Sequence, residues 1–392
     1  MRSWADELKE ELEKLDAVSR RRRLVEVDGA KDPWLKIDGR SMLNLSSNNY
    51  LGLAGDERLK RAAIEAVEKY GAGATASRLV VGNHPAYREA ESALVRWKGA
   101  GGGLIFNSGY TANTGIIQAL AGRDTAVFSD KLNHASIIDG IILSRAENNR
   151  YRHNDLDHLE WLLKKTPPDR KKLIVTDAVF SMDGDVALLE GLVDLKDRYN
   201  AILMVDEAHS GGVIGSRGQG MAHHLGLQYK VDVQMGTFSK AMGSFGAYVV
   251  GGQWLIDYLV NKMRSFIFTT ALPPAVLGAI EAAISIVSED SSSRRALSDN
   301  SRYFRTALSR LGFDTCGSQS QIVPIVIGTD EKTVLFSRRL HEEGIATVAV
   351  RPPTVPENTA RIRFSVTAVH RRQDLEWAVD RIAVVGRQMG VI

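Results

Sequence analysis

The sequence has almost none of the features that mark secreted or membrane-spanning proteins. Its 392 residues include a single cysteine, Cys316, so no disulfide can form within the chain and a reducing compartment is favoured. No apolar run approaches the roughly 20 residues that a membrane span needs. The N-terminal stretch "MRSWADELKEELEKLDA" is charged throughout, unlike a secretory signal. We therefore expect a cytoplasmic protein with no membrane partner.

An excess of charge of one sign is also missing. The chain has 50 basic and 47 acidic residues, and its one basic cluster is "RRRR" at Arg20–Arg23. Nucleic-acid binding would need more such clusters with interleaved aromatic residues, so we expect no nucleic-acid partner. The nine histidines have no metal-ligand spacing beyond the adjacent pair His223 and His224, and no metal site is predicted.

Several familiar catalytic motifs are absent as well. The glycine-rich stretch "GAGGGLIFNSG" lacks the strand, G-x-G-x-x-G and helix order of a dinucleotide site, and the chain has no P-loop. It also has no G-x-S-x-G motif, which disfavours an α/β-hydrolase nucleophile. Nothing near Cys316 would activate it, so we interpret it as a small apolar residue.

Alternating helical and apolar patterns predict an α/β protein. An amphipathic pattern predicts a helix over residues 4–17, and farther on helical stretches alternate with apolar runs such as "KLIVTDAVF" and "AILMVDEAH". Runs that are apolar on both faces are typical of a mostly parallel sheet covered by helices. A polar patch at 288–301 predicts a boundary, which gives an N-terminal helix and arm (1–50), a large domain (51–288) and a smaller C-terminal α/β domain (289–392).

Polar residues follow several of the predicted strands at their carboxyl ends. In an open parallel sheet this edge is where ligands bind. If the strands are neighbours, these residues converge on one site: Asn133, His134, Asp177, Ser181, Asp206, His209, Thr237, Ser239 and Lys240.

Lys240 lies among small residues in "MGTFSKAMGS", which allow backbone to approach a ligand closely. Taken alone, such a lysine could extend to solvent, and Asp206 could serve as a helix cap or ion-pair partner. A carboxylate, an imidazole three residues on and a lysine together favour pyridoxal phosphate, which forms a Schiff base with lysine. Gly109 in "NSGYTAN" opens a predicted helix and is the best local candidate for a phosphate cradle.

Seven stretches together resemble one enzyme family over essentially the whole chain. They occur in the family's order: "LNLSSNNYLGL", "FNSGYTAN", "LNHASIIDG", "TDAVFSMDGD", "MVDEAHSGGVIG", "GTFSKAMG" and "RPPTVP". The sequence is identified by them as similar to the α-oxoamine synthases, a group of pyridoxal-phosphate-dependent enzymes of fold type I. The resemblance implies that fold, with a large domain and a smaller C-terminal α/β domain.

The resemblance also implies roles for the cofactor-binding residues. Lys240 would carry pyridoxal 5'-phosphate, Asp206 would pair with the ring nitrogen, His209 would contact the ring hydroxyl and His134 would stack on the ring. The remaining cofactor contacts would come from Gly109, Tyr110, Ser181, Thr237 and, from the neighbouring subunit of a homodimer, Thr269 or Thr270.

Within the family, "AVRPPTVP" and the arginine cluster are most similar to members that act in biotin biosynthesis. Such a member condenses L-alanine with a pimeloyl thioester, carried on coenzyme A or on acyl carrier protein, and releases CO₂. The resemblance then implies that Arg351 binds the amino acid's carboxylate and that Arg21, Asn48 and Thr354 contact substrate. His134 would also contact the substrate.

Three alternatives stay open at this stage. A family member that uses glycine and acetyl-CoA shares the cofactor residues. A DNA-binding regulator on the same fold would use "RRRR", although the chain has no spare domain for a helix-turn-helix module. A purely structural α/β protein would keep Lys240 as a satisfied core lysine.

Overall fold

The computed structural model describes residues 2–29 and 33–392. These residues form two units, which we call the large unit and the terminal unit. The large unit comprises residues 49–181 and 186–294. The terminal unit comprises the described residues up to 48, together with 182–185 and 295–392.

Helices and strands alternate along most of the chain. The helices are α1 Trp4–Ala17, α2 Glu57–Tyr70, α3 Pro85–Lys98, α4 Gly109–Leu120, α5 Ala135–Ser144, α6 Leu156–Lys165, α7 Leu189–Arg198, α8 Met221–His224, α9 Gln253–Lys262, α10 Arg264–Ile267, α11 Pro274–Glu289, α12 Ser292–Arg310, α13 Asp330–Glu342 and α14 Arg372–Gln388. The strands are β1 Trp34–Ile37, β2 Arg40–Asn44, β3 Gly102–Phe106, β4 Thr125–Asp130, β5 Glu147–Tyr151, β6 Lys171–Asp177, β7 Ile202–Asp206, β8 Val233–Thr237, β9 Ala247–Gly251, β10 Ile322–Gly328, β11 Ile345–Ala346, β12 Ala349–Val350 and β13 Ala360–Ser365.

A seven-stranded sheet lies at the centre of the large unit. Its strand order is β3-β9-β8-β7-β6-β4-β5, and all neighbouring pairs are parallel except those that involve β9. The predicted α/β class with a mostly parallel sheet is confirmed.

The central strands are almost wholly buried, as expected for a parallel sheet covered on both faces. All residues of β4 and β8 are buried, and β6 is buried from its second residue onward. Val175 on β6 and Met204 on β7 are fully buried in one core cluster with Ile116 of α4 and Ile137 of α5. Such strands read as continuous apolar runs, which is why the sequence pattern revealed them.

The carboxyl ends of the parallel strands meet at one edge of the sheet. Asp177, the last residue of β6, is paired in register with Asp206, the last residue of β7. Asp206 in turn is in register with Met235 on β8, two residues before Thr237 ends that strand. The strand order therefore gathers the polar residues that follow these strands.

The terminal unit combines the two ends of the chain. Strands β1 and β2 pair with each other, and β2 also pairs in parallel with the short strand β11. Leu43 and Leu45 are buried in the same core cluster as Phe364 of β13. The structure thus groups the N-terminal arm, which the sequence treats as a separate segment (1–50), with the C-terminal residues.

The polar patch at 288–301 is mostly helix rather than a linker. Helix α12 begins at Ser292 and runs to Arg310. Leu297, Phe304 and Leu308 are buried and follow one another at intervals of seven and four residues, which places them on one helical face. The serines and charged residues lie between them, so the composition resembles a loop although the apolar period is helical.

The predicted N-terminal helix is confirmed as α1, which Ser3 caps by accepting a hydrogen bond from the backbone N–H of Asp6. None of the helices among the described residues is long and apolar enough to cross a membrane.

His370 holds the start of α14 against β2 within the terminal unit. Its Nδ1 atom accepts a hydrogen bond from the backbone N–H of Thr367 at 3.0 Å, so the neutral ring carries its proton on Nε2 and donates to the carbonyl of Asn44 at 3.0 Å. Burial lowers the pKa of His370 to about 4. A proton on Nδ1 would oppose the Thr367 N–H and break that hydrogen bond, so it would need the Thr367 hydroxyl, 3.1 Å away, as its acceptor.

This arrangement predicts an acid-sensitive stability. The pKa of His370 in the folded state lies below its value of about 6.5 in the unfolded chain. As the pH falls from about 6.5 toward about 4, the unfolded chain therefore binds more protons than the folded one, and the folded state loses stability. Between pH 7 and 4.5 His370 should cost the folded state about 2–3 kcal/mol. Urea unfolding should show that His370→Gln loses less stability over this interval than the wild type. Equal losses would contradict the assignment.

Candidate active site

A cavity of about 200 Å³ opens at the carboxyl edge of the large unit's sheet. Asn113 and Ser136 contribute to its lining. The residues predicted from the sequence that line it are Gly109, Tyr110, His134, Asp177, Ser181, Asp206, His209, Thr237, Ser239 and Lys240. Asn133, which the sequence also predicts, is not among the lining residues, and its side-chain amide donates to the carbonyl of Val175 at 2.8 Å.

Asp206 is a buried carboxylate that is held on both oxygen atoms. Its Oδ2 accepts a hydrogen bond from the Asn113 side-chain amide at 2.7 Å, and its Oδ1 accepts one from the Ala208 backbone N–H at 2.8 Å. The residue is only 4% exposed. A buried carboxylate is costly without such donors, and these two fix its orientation at the cavity.

His209 lies between two hydrogen-bonding partners. Its Nδ1 atom is 2.8 Å from the hydroxyl of Tyr50, and its Nε2 atom is 3.0 Å from the amine Nζ of Lys240. Tyr50 is fully buried and His209 nearly so. These contacts orient the imidazole and place one ring nitrogen beside the lysine amine.

The loop that carries Lys240 is closed by hydrogen bonds of its own. The Thr237 hydroxyl donates to the carbonyl of Gly246 at 2.8 Å, and the Gly243 N–H donates to the carbonyl of Lys240 at 3.0 Å. Gly243 has a φ of +63°, and a Cβ there would lie 2.4 Å from the backbone nitrogen of Ala54. The small residue at this position is therefore required by backbone packing as well as by the left-handed conformation.

His134 is positioned by the neighbouring strand β6. Its backbone N–H donates to Oδ2 of Asp177 at 2.9 Å, and the residue caps helix α5. Desolvation inside the cavity lowers the pKa of His134; the charge of Asp206 opposes this change and that of Lys240 adds to it. Burial and the charge of Asp206 raise the pKa of Asp177 well above its usual range. Both pKa shifts favour the neutral forms of these side chains.

These residues fit pyridoxal phosphate. Helix α4 begins at Gly109, and its first N–H groups, together with the helix dipole, form the kind of site that binds phosphate. The Oδ1 atom of Asn113, which also lines the cavity, is buried and has no hydrogen-bond partner among the described residues. This cofactor needs a carboxylate for its ring nitrogen and a lysine amine for its aldehyde. The cavity offers both, together with an imidazole beside the lysine and a helix N-terminus for the phosphate.

The other residues that the family resemblance assigns to the site are not among those that line this cavity. Thr269 and Thr270 follow α10 in the large unit, where the Thr270 carbonyl accepts a hydrogen bond from the Asn107 side chain at 3.1 Å. Arg21, Asn48, Arg351 and Thr354 belong to the terminal unit. Their predicted roles stay predictions.

The four arginines of the N-terminal cluster differ in how closely they contact carboxylates of the terminal unit. Arg20 forms ion pairs with two acids, one of them Asp330 at 2.6 Å, and Arg21 pairs with Asp16 at 2.6 Å. Arg22 has no carboxylate within 4.0 Å among the residues that the structure describes, whereas Arg23 lies 3.8 Å from Asp16.

Arg351 and Arg363, two further arginines of the terminal unit, have different hydrogen-bond partners. The Arg351 guanidinium donates to the backbone carbonyl of Ser19, and burial and the charge of Arg22 lower its pKa. Arg363 directs both terminal nitrogens to Oδ1 of Asn48, each at 3.3 Å. Sequence reasoning missed Arg363, because its contact with Asn48 joins residues 315 positions apart and depends on the fold.

Sequence reasoning also missed Tyr50 and Asn113. Both lie inside stretches that carry the family resemblance, "LNLSSNNYLGL" and "FNSGYTAN". Their partners His209 and Asp206 are distant in sequence, so only the fold reveals these contacts.

Known proteins are similar to this chain over almost its whole length. A family model described as aminotransferase class I and II matches residues 40–382. A curated protein of Geobacillus kaustophilus named putative 8-amino-7-oxononanoate synthase is 60% identical over 377 residues, which cover 96% of each chain. A protein of the same name from Bacillus cereus is 57% identical and is covered to 98%, as is this chain.

Solved structures with a similar fold carry two different names. A serine palmitoyltransferase from S. paucimobilis with pyridoxal phosphate and myriocin has a TM-score of 0.95 and 32% identity over all of both chains. An 8-amino-7-oxononanoate synthase from Francisella tularensis has a TM-score of 0.78 and 28% identity over 90% of this chain and 99% of that one.

The Asn113 contact predicts a measurable effect on cofactor binding. Asn113→Ala removes a donor to a charged carboxylate, so the apoprotein should bind pyridoxal phosphate about tenfold more weakly in an absorbance titration. Asn261→Ala is the matched control, because that exposed side chain donates to the Asp257 carbonyl within helix α9. An unchanged affinity of the Asn113 variant would show that Asp206 does not need this amide.

Proposed function

Because the chain belongs to the family of class I and II aminotransferases, which depends on pyridoxal phosphate, we propose that it condenses L-alanine with a pimeloyl thioester. The products would be 8-amino-7-oxononanoate, CO₂ and the free thiol carrier, a step in biotin biosynthesis. The protein is a pyridoxal-phosphate-dependent enzyme of the α-oxoamine synthase type. The identity of the two substrates is what we propose beyond this enzyme class.

One observation carries the choice of substrates. The relatives that share 57–60% of their residues with this chain over nearly its full length bear the name of an 8-amino-7-oxononanoate synthase. The serine palmitoyltransferases, at 32% identity, are more distant in sequence although their fold is very similar. Because one fold can host several functions, sequence identity over the whole chain is a better guide to substrate than overall shape.

The large-unit cavity would hold the cofactor through the residues that line it. Asp206 would keep the pyridine nitrogen protonated, His209 would contact the ring hydroxyl and His134 would lie against the ring. The N–H groups of Gly109 and Tyr110 would face the phosphate. When bound, the cofactor supplies an electron sink beside the substrate's amino group.

Lys240 would move the protons of the reaction. Its Nζ, 3.0 Å from Nε2 of His209, would remove the proton from Cα of alanine as a general base. That carbon then attacks the thioester carbonyl, and the thiol carrier leaves. After the original carboxylate is lost as CO₂, a proton is returned to the same carbon. Ser181 and Thr237 would complete the wall of the site.

The terminal unit offers cationic partners for the carboxylates of the substrates. Arg351 and Arg363 are the candidates for binding the carboxylate of the amino acid. Arg363 donates hydrogen bonds to Asn48, one of the residues that the family resemblance places in contact with substrate. Arg21 and Arg22 are the candidates for the distal carboxylate of the pimeloyl chain, with Thr354 nearby in sequence to Arg351. The Arg21–Asp16 pair is half-exposed and therefore weak enough to exchange partners.

A homodimer is part of the proposal. The turn Arg78–Gly82 exposes Leu79, Val80 and Val81, and Phe268 is 71% exposed directly before Thr269. Apolar side chains grouped on a surface are typical of an interface, and a second copy would cover them. Thr269 or Thr270 would then reach the partner's cofactor phosphate. Sedimentation equilibrium should give twice the mass of one chain; a monomer would contradict this arrangement.

The substrate assignment is tested by a panel of three substrate pairs. Purified holoenzyme should release CO₂ and form 8-amino-7-oxononanoate from L-alanine and pimeloyl-CoA, identified by mass spectrometry. We expect a kcat/KM about 100-fold or more above that for glycine with acetyl-CoA or L-serine with palmitoyl-CoA. A preference for either of the other pairs would overturn the proposal while leaving the enzyme class intact.

Replacing Arg351 or Arg363 by lysine tests which of the two binds the carboxylate of the amino acid. Lysine keeps the charge but loses the two-pronged geometry, so the variant of the true partner should raise the KM for L-alanine roughly tenfold. We expect the larger increase for Arg363→Lys, because Arg351 is bonded to the Ser19 carbonyl. A larger increase for Arg351→Lys would restore the assignment made from the sequence.

A further inference from the structure

A fully buried ion pair lies directly behind the active-site carboxylate. Lys98, the last residue of α3, places its Nζ 2.5 Å from Oε2 of Glu207 and 2.5 Å from the carbonyl of Gln219. Oε1 of Glu207 accepts a hydrogen bond from the Ala222 N–H at 2.9 Å. Both charged side chains have no exposed surface.

The surroundings of this pair give it no access to water. The Lys98 amine lies 5.7 Å from the ring centre of Trp97 and 5.8 Å from that of Tyr248. Gly220 has a φ of +110°, and a Cβ there would lie 2.5 Å from the carboxylate of Glu207. Removing either charge would leave the other buried and uncompensated, which is strongly unfavourable.

Glu207 also fixes the turn that carries the active-site residues. It follows Asp206, its N–H donates to the Met235 carbonyl at 2.7 Å, and its carbonyl accepts from the Gly211 N–H at 2.7 Å. His209 lies within this turn. The chain therefore presents Asp206 to the cavity, while Lys98 binds the carboxylate of the next residue.

The two adjacent carboxylates share one electrostatic environment. Burial, followed by the charges of Glu207 and Asp206, raises the pKa of Tyr248 well above its usual range. The Tyr248 hydroxyl is buried and has no hydrogen-bond partner among the described residues, so it does not neutralise either acid. Lys98 is the cation that contacts Glu207.

We propose that Lys98 is a positioning residue for the cofactor. By neutralising Glu207 it holds the turn of residues 206–211 in place and leaves Asp206 as the carboxylate whose charge acts on the pyridine ring. This inference rests on the cofactor and not on the substrates, so a failure of the substrate assignment does not affect it.

The test compares cofactor binding in three variants of the full chain. These are Lys98→Met, Glu207→Gln and the double variant Lys98→Met/Glu207→Gln. Each apoprotein is titrated with pyridoxal phosphate, and the visible absorption band of the bound cofactor and the thermal unfolding midpoint are recorded. No readout depends on turnover.

Lys172→Met is the matched control for the loss of a buried lysine. Lys172 is 6% exposed, and its Nζ binds the carbonyls of Pro168 and Arg170. It lies at the opposite end of β6 from Asp177, about 16 Å away along the strand. It should lower the unfolding midpoint without changing the dissociation constant or the absorption band.

We expect each single variant to bind pyridoxal phosphate at least about tenfold more weakly, with a shifted absorption band. The double variant buries no unpaired charge, so its affinity should return to within about threefold of the wild type and its band to the original position. Rescue of this kind identifies charge compensation as the cause.

Two results would overturn the proposal. The first is a Lys98→Met protein that binds the cofactor with wild-type affinity and an unchanged band. The second is a folded double variant that binds at least tenfold more weakly than the wild type, because the pair would then act through packing alone. If the single variants do not fold, the double variant decides the question.

Discussion

Negative charge buried at the carboxyl edge of the central sheet is the constraint around which the site is organised. Asp177, Asp206 and Glu207 are each at most 4% exposed, and a carboxylate in such a place needs compensation. The cost of burial is offset differently for each of the three carboxyl groups. Asp206 is held by two donors and faces the cavity, Glu207 is paired with Lys98, and Asp177 has a raised pKa. The result is one oriented carboxylate available to a ligand.

Part of this site could be predicted because local sequence and sheet topology determine it. Asp206, His209 and Lys240 follow apolar strands, and parallel strands bring their carboxyl ends to one edge. The supporting residues could not be predicted, since their contacts depend on how helices pack on the sheet. Asn113 and Asp206 are 93 positions apart, and Lys98 and Glu207 are 109 apart.

The fold shows the same division between local and long-range information. The strands of the large unit were evident because burial on both faces makes them continuously apolar. Composition was a poor guide at α12, where serines and charges conceal a helical period of buried residues such as Phe304. The pairing of β2 with β11 joins segments about 300 residues apart, and no local pattern indicates it.

The proposed function requires that Lys240 hold the cofactor covalently, as the family resemblance implies. Borohydride reduction of the holoenzyme should fix pyridoxal phosphate irreversibly to this residue. Trypsin cannot cleave after a modified lysine, so mass spectrometry should find the label on the peptide that spans residues 231–262. A label on any other peptide, or cleavage after residue 240 with no label retained, would contradict the account.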